Sequence, residues 1–230
     1  MSVWIDLWHL FFPKECLLCG GRLPKGVRGL CSECLAGLPR TLLHQQKDNL
    51  VERNFFGKFP VERATSFLYY AKGGDVSRLL YELKYYGNQE IGRGMGRIMA
   101  AELMDSHFFD GIDLIVPVPL HKRKERRRGY NQSRCLAEGI SAVTGIPLRA
   151  DVVIRSRFTD TQTRKGAYER WENVRELFVC VSSEVLNGKH ILLVDDVLTT
   201  GATIVSCADA FGGIPGLHIS VLTLALAGNS

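Results

Sequence analysis

The chain has 230 residues, of which 46% are hydrophobic and 23% charged, with 29 Lys and Arg against 24 Asp and Glu. These proportions exclude a wholly disordered chain, and the length suits one substantial domain with a small module attached. No apolar run reaches the roughly 18–20 residues that a spanning helix needs, which excludes an integral membrane protein of the helical kind.

In chain order, Trp4, Leu7, Trp8 and Phe11 come first, on one face of an expected helix over Met1–Phe12. This segment lacks a basic leading stretch and a cleavage site, and Asp6 interrupts it, so it reads as a packing helix rather than an export signal. It also lacks the Lys/Arg face of a membrane-surface helix. Cys16, Cys19, Cys31 and Cys34 follow as C-x2-C-x11-C-x2-C. Paired knuckles of this kind bring four thiolates to the corners of a tetrahedron, which suits structural zinc. Gly20, Gly21, Pro24, Gly26 and Gly29 supply the tight turns between them. A disulfide framework is disfavoured by the odd total of seven cysteines and by the missing export signal. Residues 1–40 thus read as a helix and zinc module, 41–60 as a polar connector, and 61–230 as the main domain.

From Val61 onward strands and helices alternate. Ala64 to Ala71 reads as a strand, and Val76, Leu79, Leu80 and Leu83 mark one face of a helix. Tyr85, Tyr86 and Gly87 at its end either floor an acceptor pocket or belong to the core. A helix over Asn88–Met104 is weakened by Gly92, Gly94 and Gly96. Ile112 to Val118 is a continuous apolar run, the pattern of a buried strand. Next comes a basic stripe: Lys122, Arg123, Lys124, Arg126, Arg127, Arg128 and Arg134 against the single acid Glu125. Outside this stripe acids and bases nearly balance, so it is either a solvated loop or a footprint for phosphate, nucleic acid or an anionic surface. A helix over Asn131–Thr144 turns Leu136, Ile140 and Val143 inward. Short strands are expected at Asp151–Arg155 and Phe178–Val181, a strong strand at His190–Val194, a helix at Thr200–Phe211 and a last strand at Leu217–Leu226. Cys135 and Cys207 fall on helices and read as buried small hydrophobes. Such alternation specifies an α/β domain with a parallel sheet covered on both faces, and ligands bind at the carboxyl ends of its strands.

The segment from Ile191 to Thr203 is the most informative. Its apolar strand ends in Val194, followed by Asp195 and Asp196 and then a Thr199-Thr200-Gly201-Ala202-Thr203 turn into a helix. Backbone N–H groups at a helix start favour an anion, the threonine hydroxyls add donors, and Gly201 allows close approach. The acids repel a phosphate but accept hydrogen bonds from neighbouring hydroxyls, which together describes a ribose phosphate. Two blander readings of the acids are a helix N-cap and a metal site. A Walker-type loop is excluded because its Gly-x4-Gly-Lys-Ser/Thr pattern is absent.

This string resembles the signature with which type I phosphoribosyltransferases bind phosphoribosyl pyrophosphate (PRPP). Val116-Pro117-Val118-Pro119-Leu120-His121, the stripe through Arg128-Gly129-Tyr130-Asn131-Gln132-Ser133, Thr161-Gln162-Thr163, Glu169-Arg170, Asn173-Val174 and the four-cysteine knuckle extend the likeness. Nearly the whole chain resembles the ComF family of competence-type, phosphoribosyltransferase-like proteins. The resemblance implies a zinc ribbon joined to a type I phosphoribosyltransferase fold. Asp195 and Asp196 would meet the ribose hydroxyls, and Val194 and Thr199–Thr203 would form the phosphate cradle. Pro119, Leu120 and His121 would lie near the pyrophosphate, with magnesium bridging pyrophosphate and ribose oxygens. A loop over Arg157–Arg170 would close on the site, its Arg164 and Lys165 acting in catalysis and Arg170 beside them. Two further roles are implied as alternatives to transfer. One is handling of transforming single-stranded DNA with the uptake machinery, in the cytoplasm at the inner face of the membrane. Lys122, Arg123, Lys124, Arg126, Arg127 and Arg128 would then hold the strand, with Tyr130 stacking on a base. The other is PRPP sensing without catalysis.

Overall fold

The computed structural model describes residues 15–24, 26–156 and 177–228. The expected N-terminal helix and the loop bearing Arg164, Lys165 and Arg170 lie outside the described residues. Four branched, apolar segments form one parallel sheet: β1 (Ala64–Tyr70), β2 (Leu114–Pro117), β5 (His190–Leu198) and β6 (His218–Ala227), in the order β1-β6-β5-β2. Ala64 stands opposite Val221, and Val194 stands opposite Leu222 on one side and Pro117 on the other.

Strand side chains alternate between faces, and here both faces are dry. Leu192, Val194, Leu222 and Leu224 pack under α3 (Asp75–Tyr85), α4 (Gln89–Met104) and α6 (Gln132–Thr144). Ile191, Leu193 and Val221 pack on the opposite side with α2 (Leu50–Phe55) and α7 (Ala202–Asp209). Burial on both faces is why these strands read as unbroken apolar runs. The three glycines in α4 do not break it. A Cβ on Gly96 would collide with the Leu136 carbonyl, and one on Gly139 with the Arg93 carbonyl, so Gly96 and Gly139 let α4 and α6 cross with backbones in contact.

Several expectations need correction. The connector expected over residues 41–60 is built into the domain: Asn49 and Glu52 form a capping box that starts α2, and Val51 and Phe55 are fully buried. Alone, that stretch looked polar because only two of the helix's residues face inward. The basic stripe is not a loop but a helix, α5 (Lys122–Arg128), capped by the His121 side chain and ended by Gly129 at φ +83°. β5 does not stop at Val194. It continues through both acids to Leu198, because β6 is long enough to pair with it throughout. β3 (Val153–Arg155) and β4 (Phe178–Cys180) pair with each other, antiparallel, outside the main sheet. Val143, expected inward, is exposed, whereas Cys135 and Cys207 are buried as their helix positions suggest.

The knuckle is joined to this core. The short helix α1 (Ser32–Ala36) closes its second half, and Leu18, Leu30 and Leu38 belong to the same apolar cluster as Leu80, Ile91 and Leu103. The Arg78 guanidinium donates to the Leu18 and Leu17 carbonyls at 2.9 and 3.2 Å. Arg40 forms a two-pronged pair with Glu102 on α4 at 2.7 and 2.8 Å.

Candidate active site

A cleft of about 780 Å³ opens at the carboxyl ends of the parallel strands. It is reached from β1 by Tyr70, from β5 by Asp195 and Asp196, and from β6 by Ala227, with Val118 just past β2. Val118 and Val194 are tied by an N–H to carbonyl bond of 2.9 Å, which holds the two richest sequence motifs side by side. Val194 itself is fully buried, so its side chain serves the core rather than a ligand.

The two acids have different surroundings. Asp195 accepts a hydrogen bond from the Ser133 hydroxyl at 2.8 Å and one from the Asp196 backbone N–H at 2.9 Å. Burial, and then the charge of Asp196, push its pKa up to about 7. Asp196 pairs with the Lys84 ammonium at 2.8 Å. The turn after β5 presents Thr199 and Thr203 to the same cleft. Gly201 starts α7 at φ +76°, and a Cβ there would stand 2.7 Å from the Asn54 amide oxygen and 3.0 Å from the Phe55 ring. Only glycine suits that conformation in that space, and helix α2 behind it is what confines it. Thr200 and Ala202 do not line the cleft; the Thr200 hydroxyl accepts from the Ala202 N–H at 3.5 Å.

The opposite wall comes from the basic stripe and the residues after it. Pro119, Leu120, Lys124 and Arg128 line the cleft, whereas Lys122, Arg123, Arg126 and Arg127 are exposed and outside it. His121 caps α5 through Nδ1, which accepts the Arg123 N–H at 3.1 Å. Burial, then Arg155, Lys124 and Arg123, hold its pKa below the usual histidine value. Tyr130 is not available for stacking: it is buried, and its hydroxyl donates to the Leu83 carbonyl. Asn131 caps α6 and donates to the Val118 carbonyl at 3.0 Å, which fixes Gln132 and Ser133 at the cleft. Gln132 is buried, and its Nε2 has no hydrogen-bond partner among the described residues.

Lys84, Gln132, Ser133 and Arg155 were missed as functional candidates in the sequence. Lys84 precedes the noticed Tyr85-Tyr86-Gly87 stretch, and Gln132-Ser133 closes a quoted motif without a role. Arg155 ends a strand, lies over the Phe178 ring at 5.2 Å and has a buried Nε with no partner among the described residues. Burial lowers its pKa against the pull of Asp195. The cleft carries five cations, Arg78, Lys84, Lys124, Arg128 and Arg155, against the acids Glu82, Asp195 and Asp196. That balance favours an anionic ligand.

Cys16, Cys19, Cys31 and Cys34 present sulfurs within 4.8 Å of one another. The Cys19–Cys31 separation of 3.8 Å matches the edge of a tetrahedron built on zinc–sulfur bonds of about 2.3 Å. Backbone N–H groups of Gly21, Cys31 and Cys34 donate to the sulfurs of Cys19, Cys16 and Cys31. Although burial opposes it, donation from the Cys19, Cys31 and Leu18 backbone lowers Cys16 to about 6, so a thiolate is available. The four residues fit a structural zinc ion. Leu17, inside the first knuckle, also lines the cleft, so the module forms part of its wall.

A DNA utilization protein (YhgH) of Escherichia coli K12 is 30% identical over 214 residues, covering 86% of this chain and 91% of the relative. The chain belongs to the ComF family. Competence protein F of Haemophilus influenzae is 28% identical over 209 residues, covering 84% of this chain and 89% of its own length. No family model matches the sequence. Among solved structures, the glutamine PRPP amidotransferase of Bacillus subtilis complexed with ADP and GMP aligns with a TM-score of 0.44 at 20% identity. That alignment covers 62% of this chain and 30% of the amidotransferase. No helix among the described residues is long and apolar enough to cross a membrane.

Proposed function

We propose that this ComF-family protein binds magnesium-PRPP in the cleft and transfers the phosphoribosyl group to an acceptor, releasing pyrophosphate. The observation that carries the reading is the meeting of Asp195, Asp196, Thr199 and Thr203 on one cation-rich cavity at the carboxyl edge of the sheet. In this reading the acids accept hydrogen bonds from the ribose hydroxyls. The threonine turn and the first N–H groups of α7 hold the ribose phosphate. Pro119, Leu120, Lys124, Arg128 and Arg155 lie toward the pyrophosphate, with His121 capping the helix that carries two of them. Magnesium would arrive with the substrate and offset part of its negative charge. The bond from C1 to pyrophosphate breaks while the bond from the acceptor to C1 forms. The electron pair leaves with pyrophosphate, which also takes the acceptor's proton. Fixed cations stabilise that charge as it develops, and Arg164 and Lys165, which lie outside the described residues, would add to them. Calorimetric titration of magnesium-PRPP into zinc-loaded protein tests this. Wild type is expected to bind, and the Asp195→Asn, Asp196→Asn double variant to bind at least about tenfold more weakly, the loss of one or more charge-assisted hydrogen bonds. Absence of binding by folded wild type would overturn it.

A second reading is supported by the exposed Lys122, Arg123, Arg126 and Arg127 on α5 and by the names of the relatives. It is handling of single-stranded DNA beside an uptake machinery, in the cytoplasm at the membrane's inner face. Affinity for an oligonucleotide should then fall steeply with salt. The Arg126→Ala, Arg127→Ala variant should flatten the log–log slope by about 1.4, at about 0.7 per lost phosphate contact. Salt-insensitive binding would rule it out. Pyrophosphate release in the presence of an acceptor separates transfer from PRPP sensing alone.

A further inference from the structure

Three tyrosines at the end of α3 are left exposed inside the cleft. Tyr81, Tyr85 and Tyr86 are 54%, 57% and 66% exposed, and all three line the cavity that holds Asp195 and Asp196. They are already clustered: the Tyr81 ring centroid lies 4.7 Å from that of Tyr85 and 5.8 Å from that of Tyr86. The Arg128 guanidinium lies 5.6 Å from the centre of the Tyr85 ring. Among the described residues its buried Nε has no partner, nor does Nε2 of Gln132, which is 2% exposed and lines the same cavity. The cluster is held close to the acids, because Lys84, next to Tyr85 in the chain, reaches Asp196 at 2.8 Å.

We propose that Tyr81, Tyr85, Tyr86 and Arg128 form the acceptor subsite of the cleft and that it takes a planar nucleobase ring. Tyrosine rings and a guanidinium plane together provide the surface on which a base stacks. The amide Nε2 of Gln132 provides a donor for a ring nitrogen or an exocyclic carbonyl, and neither it nor Arg128 Nε has a hydrogen-bond partner among the described residues. Arg128 thus serves two neighbours, the stacked ring and the departing pyrophosphate. This inference rests on the phosphoribosyl reading only for the word acceptor; stacking of a base is a separate event and is measured separately.

The probe is 2-aminopurine, whose fluorescence is quenched when it stacks. It is used as the free base, within a hexameric single strand, and alongside an abasic strand of the same length as competitor. Wild type is expected to quench it. The Tyr85→Ala, Tyr86→Ala variant should bind about ten- to a hundredfold more weakly, the range that loss of base–aromatic stacking produces. Tyr85→Phe, Tyr86→Phe keeps the rings and should stay within about twofold of wild type. Melting temperature and zinc content verify that each variant is folded. Quenching of the free base upholds the acceptor subsite, whereas quenching only in the strand overturns it as an acceptor subsite and assigns the tyrosines to a base of single-stranded nucleic acid. Absence of quenching in wild type overturns it, as does equal quenching in the alanine variant or full competition by the abasic strand. PRPP binding without quenching would refute the subsite alone, and quenching without PRPP binding would refute the phosphoribosyl reading alone.

Discussion

Asp195 and Asp196 are adjacent carboxylates with unlike electrostatics. Lys84 neutralises Asp196, whereas Asp195 has only neutral donors and a neighbouring negative charge, and its pKa rises to about 7. A carboxyl whose folded pKa lies above its unfolded value is charged at a cost between the two values. Asp195 therefore subtracts stability as pH rises from about 4 to about 7. The folded protein should lose part of its melting temperature over that interval, and Asp195→Asn should remove this component. In the phosphoribosyl reading, affinity for magnesium-PRPP should move the other way, because an ionised Asp195 is the better acceptor for a ribose hydroxyl. Calorimetry at pH 6, 7 and 8 should show binding tighten toward pH 8, by no more than about tenfold per unit below the pKa. A flat profile in wild type would remove Asp195 from the binding site. Its pair of neighbours was legible as a motif. The division of labour between them was not, because Lys84 and Ser133 lie on two helices much earlier in the chain, Ser133 62 residues before Asp195.

At the scale of elements, glycine position decides the sign of a substitution. Gly94 on α4 has open space where a Cβ would stand, so Gly94→Ala should stabilise the protein by about 0.5–1 kcal/mol through helix propensity. Gly96 sits two residues on, against the Leu136 carbonyl and Gly139, and Gly96→Ala should destabilise it by about 1–3 kcal/mol through overpacking. Paired urea denaturation curves measure both, and like signs would contradict the observed crossing. In the sequence these glycines argued equally against the helix, since propensity is blind to which face a residue takes. The basic stripe shows the same limit. Its charge was evident from composition, but whether Lys124 and Arg128 face the cleft while Arg126 and Arg127 face solvent depends on helix phase.

At the scale of the whole molecule, the zinc module and the sheet domain share one apolar cluster, and Leu17 carries the knuckle into the cleft wall. Metal loss should therefore be felt in both. Removing zinc, or replacing Cys31 and Cys34 by serine, should cost at least about 3 kcal/mol, given the folding energy such sites supply. For a domain of this size that corresponds to roughly 6–12 °C in melting temperature. Differential scanning calorimetry of wild type and variant checks this. An unchanged transition would mean that the module contributes nothing to the sheet domain. Released contacts at Leu18, Leu30 and Arg78 should also weaken PRPP binding, because Arg78 and Leu17 both belong to the cleft.

The amino-acid sequence by itself determined the elements whose burial is one-sided or complete: the strands around Ile115, Leu193 and Val221, the α3 face of Leu79 and Leu83, and the four-cysteine spacing. Each of these signals is local and periodic, so it survives without knowledge of neighbours. The Asp195-Asp196 and Thr199–Thr203 string was legible for the same reason, since strand, acids, turn and helix start are consecutive. Only the tertiary structure decided that α2 backs Gly201, that Tyr130 is buried, and that Lys84, Gln132, Ser133 and Arg155 line one cleft with the acids. These arrangements join segments far apart in the chain, and they depend on strand order and helix phase, which no local pattern encodes.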